Sequence, residues 1–301
     1  MLPPWPMCDH HAPLRRIASR PAAPPGVNAL RRSALMPTRR GLLATLPAAC
    51  LAAPPEALLE PVTRLLLPAE GPRPVALTLD ACGGGTDHRI LEVLLRLRVA
   101  ATIFATARWL RGNPETVALL LAHPGQFGVQ NHGARHLPPI FGTGRIYGLA
   151  VAGTAEVLRQ EIAGGAAAIA AAGFPPPRWY RGATALYSPA ALGLVEAMGF
   201  AVAGFSLNGD EGASLPAPLA ARRVASARGG DVVIAHLNQP GHAAGAGVAA
   251  GIEALHGVGV EFVRLEDWPV TPPECRRHAL PRAAPSGPGA PPAREGGDGL
   301  P

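Results

Sequence analysis

The sequence predicts an α/β domain whose parallel strands curl toward a barrel, and two observations predict it. Short apolar runs recur between Val75 and Leu265 without alternating with polar residues, as strands covered on both faces do. Longer Ala- and Leu-rich segments separate these runs, so that strand followed by helix recurs about seven times. A third observation concerns function. Asp80, His132, Arg181, Asn208, Asp210 and His236 each fall at or just after the C-terminal end of an expected strand. In parallel barrels and open α/β sheets, that edge is where sites are built.

The expected strands are 75–80, 101–106, 127–130, 178–181, 202–206, 232–236 and 261–265. A helix is expected from His88 to Arg98, where Ile90, Leu91, Leu94, Leu95 and Leu97 follow helical spacing. Asn113-Pro114-Glu115 offers an N-cap, a proline at the first helical position and an acid in the first turn. Ser188-Pro189 opens another helix, which Gly199 closes. Residues 154–172 are helical by alanine content, with Gly164-Gly165 weakening the middle.

The domain is expected to span 72–270. Before it, Thr38-Arg39-Arg40-Gly41-Leu42-Leu43 and the small, apolar residues that follow have the layout of a twin-arginine export signal. Residues 1–71 therefore read as leader and linker, with Met36 as an alternative start, and the protein is expected to be exported to the periplasm or beyond. The apolar run of the signal is too short for a membrane span. Residues 271–301, rich in Pro, Gly and Ala, read as a disordered tail.

The formal charge of +6 lies in residues 1–40, which hold seven Arg and one Asp. Residues 41–270 hold sixteen Arg against seventeen acids, a balance that argues against a nucleic-acid face on the domain. Of the four cysteines only Cys82 falls within the expected domain, so no disulfide framework is implied.

His132 and His136 stand four apart around Gly133, with Pro138-Pro139 following, in a spacing that suits one tight turn aiming two imidazoles at a divalent metal. Asp80 closes the run Ala76–Leu79 and opens the glycine-rich loop 83–85. A carboxylate there acts as general base or metal ligand, or merely caps a turn. Cys82 is either a thiolate ligand or nucleophile, or a small residue packed behind the strand end. Tyr180 and Asn238 are candidates to contact substrate, and His242 is a weaker one. Asp210 either orients His236 or belongs to a turn.

Over residues 74–268 the sequence resembles the NodB-homology polysaccharide deacetylases, carbohydrate esterase family 4. Thr78-Leu79-Asp80-Ala81 resembles the family's Thr-Phe-Asp-Asp motif, and His132-Gly133-Ala134-Arg135-His136 its His-Ser/Thr-x-x-His motif. Tyr180-Arg181-Gly182-Ala183 resembles the Arg-x-Pro motif, and Ile234-Ala235-His236 the late Leu-x-His. The resemblance implies a distorted (β/α)7-type barrel and a metal-dependent hydrolase that removes acetyl groups from a glycan. It implies a divalent ion, zinc foremost and cobalt among the alternatives, on His132 and His136. It also implies Asp80 as base, Arg181 as its orienting partner and His236 as acid. The family's second aspartate, a metal ligand, is Ala81 here. Asp87 folding back across the glycine loop is the preferred replacement. Asp80 itself as ligand, or a site that holds metal weakly or not at all, are the alternatives. A non-catalytic glycan-binding homologue and a hydrolase of a small non-glycan amide are the competing functional readings.

Overall fold

The computed structural model describes residues 57–279. The leading pair of arginines and the apolar run behind it lie outside the described residues, as does most of the expected tail. In chain order the elements are β1 (Leu58–Val62), β2 (Val75–Ala81), α1 (His88–Leu97), β3 (Ala101–Ala105), α2 (Ala107–Gly112), α3 (Pro114–Ala122) and β4 (Phe127–Asn131). The hairpin β5 (Arg145–Ile146) and β6 (Leu149–Ala150) follows, then α4 (Ala155–Ala171), β7 (Trp179–Tyr180), α5 (Pro189–Ala197), β8 (Ala201–Val202) and β9 (Leu207–Asn208). The chain continues through α6 (Ala217–Ala225), β10 (Val232–His236), α7 (Ala244–Gly257), β11 (Phe262–Val263) and β12 (Glu274–His278).

The central sheet runs β8-β7-β4-β3-β2-β10-β9, with β11 added beside β2, and its pairings are parallel. Among the described residues no pairing joins β8 to β9, so the barrel is distorted and open there. β2, β3 and β4 are buried along their whole length, which explains their unbroken apolar character. Side chains alternate across β2. Val75, Leu77, Leu79 and Ala81 enter the outer core with α1, α3 and α7, so Asp80 points the other way.

Helix boundaries follow their caps. Thr154 caps α4 by accepting the Val157 N–H, and α3 and α5 each begin on a proline. The glycine-rich segment after His242 forms helix α7. Its glycines serve contact. A Cβ at Gly247 would meet the Ala217 carbonyl, and one at Gly251 would meet Val224, so α6 and α7 approach closely only because these side chains are missing.

The fold extends beyond the expected domain on both sides. β1 and β12 pair antiparallel from Leu58↔His278 to Val62↔Glu274, recruiting chain that was expected to be linker and tail. Leu58 and Leu59 are buried, and Leu59 exchanges backbone hydrogen bonds of 2.8 and 2.9 Å with Tyr187. β12 reads Glu-Cys-Arg-Arg-His and has no apolar run, so only its partner strand reveals it. Among the described residues no helix is long and apolar enough to cross a membrane.

Candidate active site

Four adjacent or nearby strands of the sheet deliver the site. Asp80 lies near the end of β2, His132 follows β4, Arg181 follows β7 and His236 ends β10. The registers Asp80↔His236, Asp80↔Phe104 and Phe104↔Gln130 bring these strand ends level.

Arg181 is wholly buried and holds Asp80, its Nη1 donating to Asp80 Oδ1 at 2.8 Å. The guanidinium is fixed on three further sides. Nη2 donates to the Gly204 carbonyl at 2.9 Å, Nε donates to the Ala203 carbonyl at 3.4 Å, and the group lies 4.2 Å from the Phe104 ring centroid. Burial by itself would raise the Asp80 pKa. The charges of Arg181, His132 and His236, with the Arg181 hydrogen bond, outweigh it and hold the carboxyl below its usual range. Asp80 is therefore an ionised carboxylate at neutral pH.

The turn after β4 presents both histidines. Gly133 takes φ +89° and donates its N–H to the Asn131 side chain, and His136 itself adopts a left-handed φ of 69°. Glu161 of α4 holds this turn from beneath. Its Oε1 accepts the N–H groups of Arg135, His136 and Leu137 at 2.8, 2.7 and 3.2 Å, and the side chain is fully buried. A Cβ at Gly133 would collide with the Glu161 carboxylate, and one at Gly165 with Asn131 and the Gly133 backbone. His132 Nδ1 donates to the Arg181 carbonyl at 2.6 Å, so in the neutral ring Nε2 carries the lone pair; burial lowers the ring's pKa, but the charges of Asp80 and Cys82 raise it above its ordinary value. That Nε2 lies 3.4 Å from Cys82 Sγ and 3.7 Å from Asp80 Oδ2, and the His132 and His136 ring centroids are 4.8 Å apart.

The donor atoms of Cys82, His132 and His136 all lie within 4.8 Å of one another. Burial pushes the Cys82 thiol up, but the His132 charge and hydrogen bonds with His132, His136 and His236 bring it well below its ordinary value. His236 faces the same point. Its Nδ1 meets Asp210 Oδ1 at 2.9 Å, and its backbone N–H donates to Asp210 Oδ2 at 2.7 Å. With Nδ1 so engaged, Nε2 is the nitrogen left for the site. Burial lowers the His236 pKa, yet the charge and hydrogen bond of Asp210, then contacts with Cys82, raise it well above the ordinary histidine value.

These groups open into a cleft of about 810 Å³ lined by Asp80, Cys82, His136, His236 and Asn238 at its floor. Tyr147 and Leu149 of the β5–β6 hairpin line it too, as do Glu60 of β1 and His278 of β12. Asn238 was expected to meet substrate. It lines the cleft and donates from Nδ2 to the Gly83 carbonyl at 2.5 Å.

Two expected site residues lie elsewhere. Asp87 does not join the histidines. It is the N-cap of α1, accepting the Arg89 N–H, and its two oxygens meet the Arg89 guanidinium at 2.8 and 2.6 Å. The glycine loop carries the chain onward to start a helix, not back toward the histidines. Asp87→Ala is expected to cost about 1 kcal/mol of stability through the lost cap while leaving metal content unchanged, as denaturant unfolding and elemental analysis would show. Tyr180 is not in the cleft either. It is fully buried beside Tyr187, Leu158 and Ile162, and its hydroxyl has no hydrogen-bond partner among the described residues. In Tyr180→Phe the unsatisfied hydroxyl is gone, so stability is expected to hold or rise by up to about 1 kcal/mol with turnover unchanged. Glu161 went unnoticed in the sequence, because nothing in an alanine-rich helix marks one glutamate as the anchor of a distant turn.

Residues 68–203 match the family model for polysaccharide deacetylase. No curated protein matches the chain. Among solved structures, a peptidoglycan N-acetylglucosamine deacetylase in complex with a hydroxamate-type benzamide is 18% identical at a TM-score of 0.56, over 69% of this chain and 91% of that one. A family 4 acetyl xylan esterase from Clostridium thermocellum in complex with a cobalt ion is 23% identical at 0.51, over 64% and 88%. A family 4 pseudoenzyme from Bacillus anthracis is 17% identical at 0.53, over 66% of each chain. These neighbours share the fold, and residues 68–203 carry the match to the polysaccharide deacetylase family.

Proposed function

We propose that the protein is a metal-dependent hydrolase that removes N- or O-acetyl groups from a glycan. The observation that carries this reading is the convergence of an ionised carboxylate, a two-histidine metal pair and an Asp-supported histidine on one cleft. The donor set fits a divalent ion, since His132 Nε2 is freed by its Nδ1 hydrogen bond and two further donors stand close by. When bound, such an ion supplies Lewis acidity toward the acetyl carbonyl and the attacking water.

The residues supply the rest. Asp80, ionised and fixed by Arg181, takes the proton of the attacking water. His236, held protonated by Asp210, delivers a proton from Nε2 to the leaving nitrogen or oxygen. Asn238 and the cleft walls position the sugar. An acetylated cell-wall or extracellular polysaccharide suits an open cleft of this size, and the twin-arginine leader supports export to meet it.

The proton-donor role of His236 has a pH signature. Its pKa is raised, so the competent protonated form prevails below that pKa and is lost as pH rises through it. Asp210→Asn removes the main raising charge, and the alkaline limb of the kcat/KM profile is expected to move down by about one unit or more.

The reading is tested with the purified full chain on N- and O-acetylated oligosaccharides, comparing wild type with His132→Ala. Acetate release and bound metal lost together support it. A variant that loses metal but retains acetate release overturns it. A second reading, a glycan-binding homologue without turnover, is favoured by Ala81, which lacks the family's carboxylate. It predicts oligosaccharide binding with no acetate released by wild type.

A further inference from the structure

We propose that Cys82 is the third protein ligand of the ion, so that this chain builds a sulfur-bearing Cys-His-His centre for a thiophilic divalent metal. The proposal rests on the metal-dependent reading above and identifies the ion's ligands. Position 81, where the family motif has its ligand aspartate, has no role in the site. Ala81 is the last outward residue of β2, fully buried in the outer core with Leu79 and Ala105. β2 ends at Ala81, and the next residue, Cys82, lines the cleft with Asp80 and brings its thiol to His132. Cys82 Sγ stands 3.4 Å from His132 Nε2 and forms, with His136, a group of donors all within 4.8 Å of one another.

The cysteine is held in place on both sides of the following peptide. Its carbonyl accepts Thr106 Oγ1 at 2.8 Å and Arg108 Nη2 at 3.3 Å, and the Gly83 carbonyl accepts Asn238 Nδ2 at 2.5 Å. A Cβ at Gly83 would meet only the Arg108 guanidinium, the end of an exposed and flexible side chain. Thr106 also caps α2 by accepting the Trp109 N–H, so the thiol is tied to a helix terminus and not left on a free loop. Asp87, the replacement preferred from the sequence, is committed to Arg89, and Asp80, the alternative, has Oδ1 on Arg181 and Oδ2 3.7 Å from His132 Nε2. One sulfur and two imidazole nitrogens, with a position open to the cleft, form a donor set that favours zinc-like ions and disfavours magnesium or manganese.

The test uses the full chain, stripped by chelation and titrated with cobalt(II), then with zinc(II) in competition. Wild type is expected to show a sulfur-to-cobalt charge-transfer absorption that saturates at one equivalent and disappears as zinc replaces cobalt. Cys82→Ser should lack that absorption and bind zinc more than about 100-fold weaker, since even groups behind ligands are worth about 10–100-fold. Cys82→Asp should regain zinc binding without the absorption, which separates loss of a ligand from loss of the fold. Cobalt bound by wild type without the absorption, or Cys82→Ser with undiminished zinc affinity, overturns the proposal. Acetate release is scored separately. The absorption without turnover would sink the hydrolase reading and leave the ligand set standing, whereas metal-dependent turnover without the absorption would do the reverse.

Discussion

Asp80→Asn is expected to lower kcat/KM for acetate release by about 10²–10⁴-fold, the range lost when a positioned general base is removed. The amide keeps the shape of the side chain, so the cleft and the cysteine–histidine cluster persist. What disappears is the proton acceptor and the charge opposite Arg181. Arg181 is fully buried, and its remaining partners are the Ala203 and Gly204 carbonyls and the face of Phe104. Removing one partner of a buried pair strands the other, so the same substitution should destabilise the fold by about 3 kcal/mol in urea unfolding. A variant that unfolds earlier yet turns over at the wild-type rate would leave Asp80 a structural counter-ion and remove it from the chemistry.

Glu161→Ala is expected to have the second largest effect, far from any reacting atom. Three backbone N–H groups, of Arg135, His136 and Leu137, converge on one buried carboxylate oxygen. Arg135 is exposed and His136 and Leu137 are partly buried, so water reaches part of this turn once the carboxylate is gone, and a loss of about 1–3 kcal/mol follows. The turn also carries His136 in a left-handed conformation, which the hydrogen bonds keep in place. Metal affinity should fall by about 10–100-fold, as for other groups that orient a ligand. Glu161→Gln retains an acceptor oxygen and should recover most of both losses. Metal titration beside denaturant unfolding measures the two effects. Full metal affinity in Glu161→Ala would show that His136 needs no support from α4.

Much of this arrangement was legible in the sequence. β2, β3, β4 and β10 read as continuous apolar runs because both of their faces are covered, and the ends of β2, β4 and β10 carry Asp80, His132 and His236. The histidine pair, Asp80, Arg181 and His236 were all visible as polar residues closing such runs. The departures have physical causes. Tyr180, as an aromatic at a strand end, was a candidate to contact substrate, but it lies in the core. Asp87 looked free to reach the ion, but an aspartate two residues before an arginine at a helix start is better placed as a cap and partner. Cys82 was visible only as an ambiguity. Its role depends on where β2 ends, and spacing alone does not show whether residue 81 or 82 lines the cleft. β1 and β12 were missed because their pairing joins segments more than two hundred residues apart, one of them with an ordinary surface composition.

Metal reconstitution followed by acetate release is the most direct measurement of whether the cleft is a metal-dependent deacetylase site. The full chain is stripped with chelator, zinc is added back in steps, and acetate is measured from acetylated oligosaccharides at each step. Activity is expected to be absent in the stripped protein and to rise in proportion to added zinc until one equivalent is bound. Acetate release that is undiminished in the metal-free protein, or absent at full zinc loading on every acetylated glycan, would contradict it.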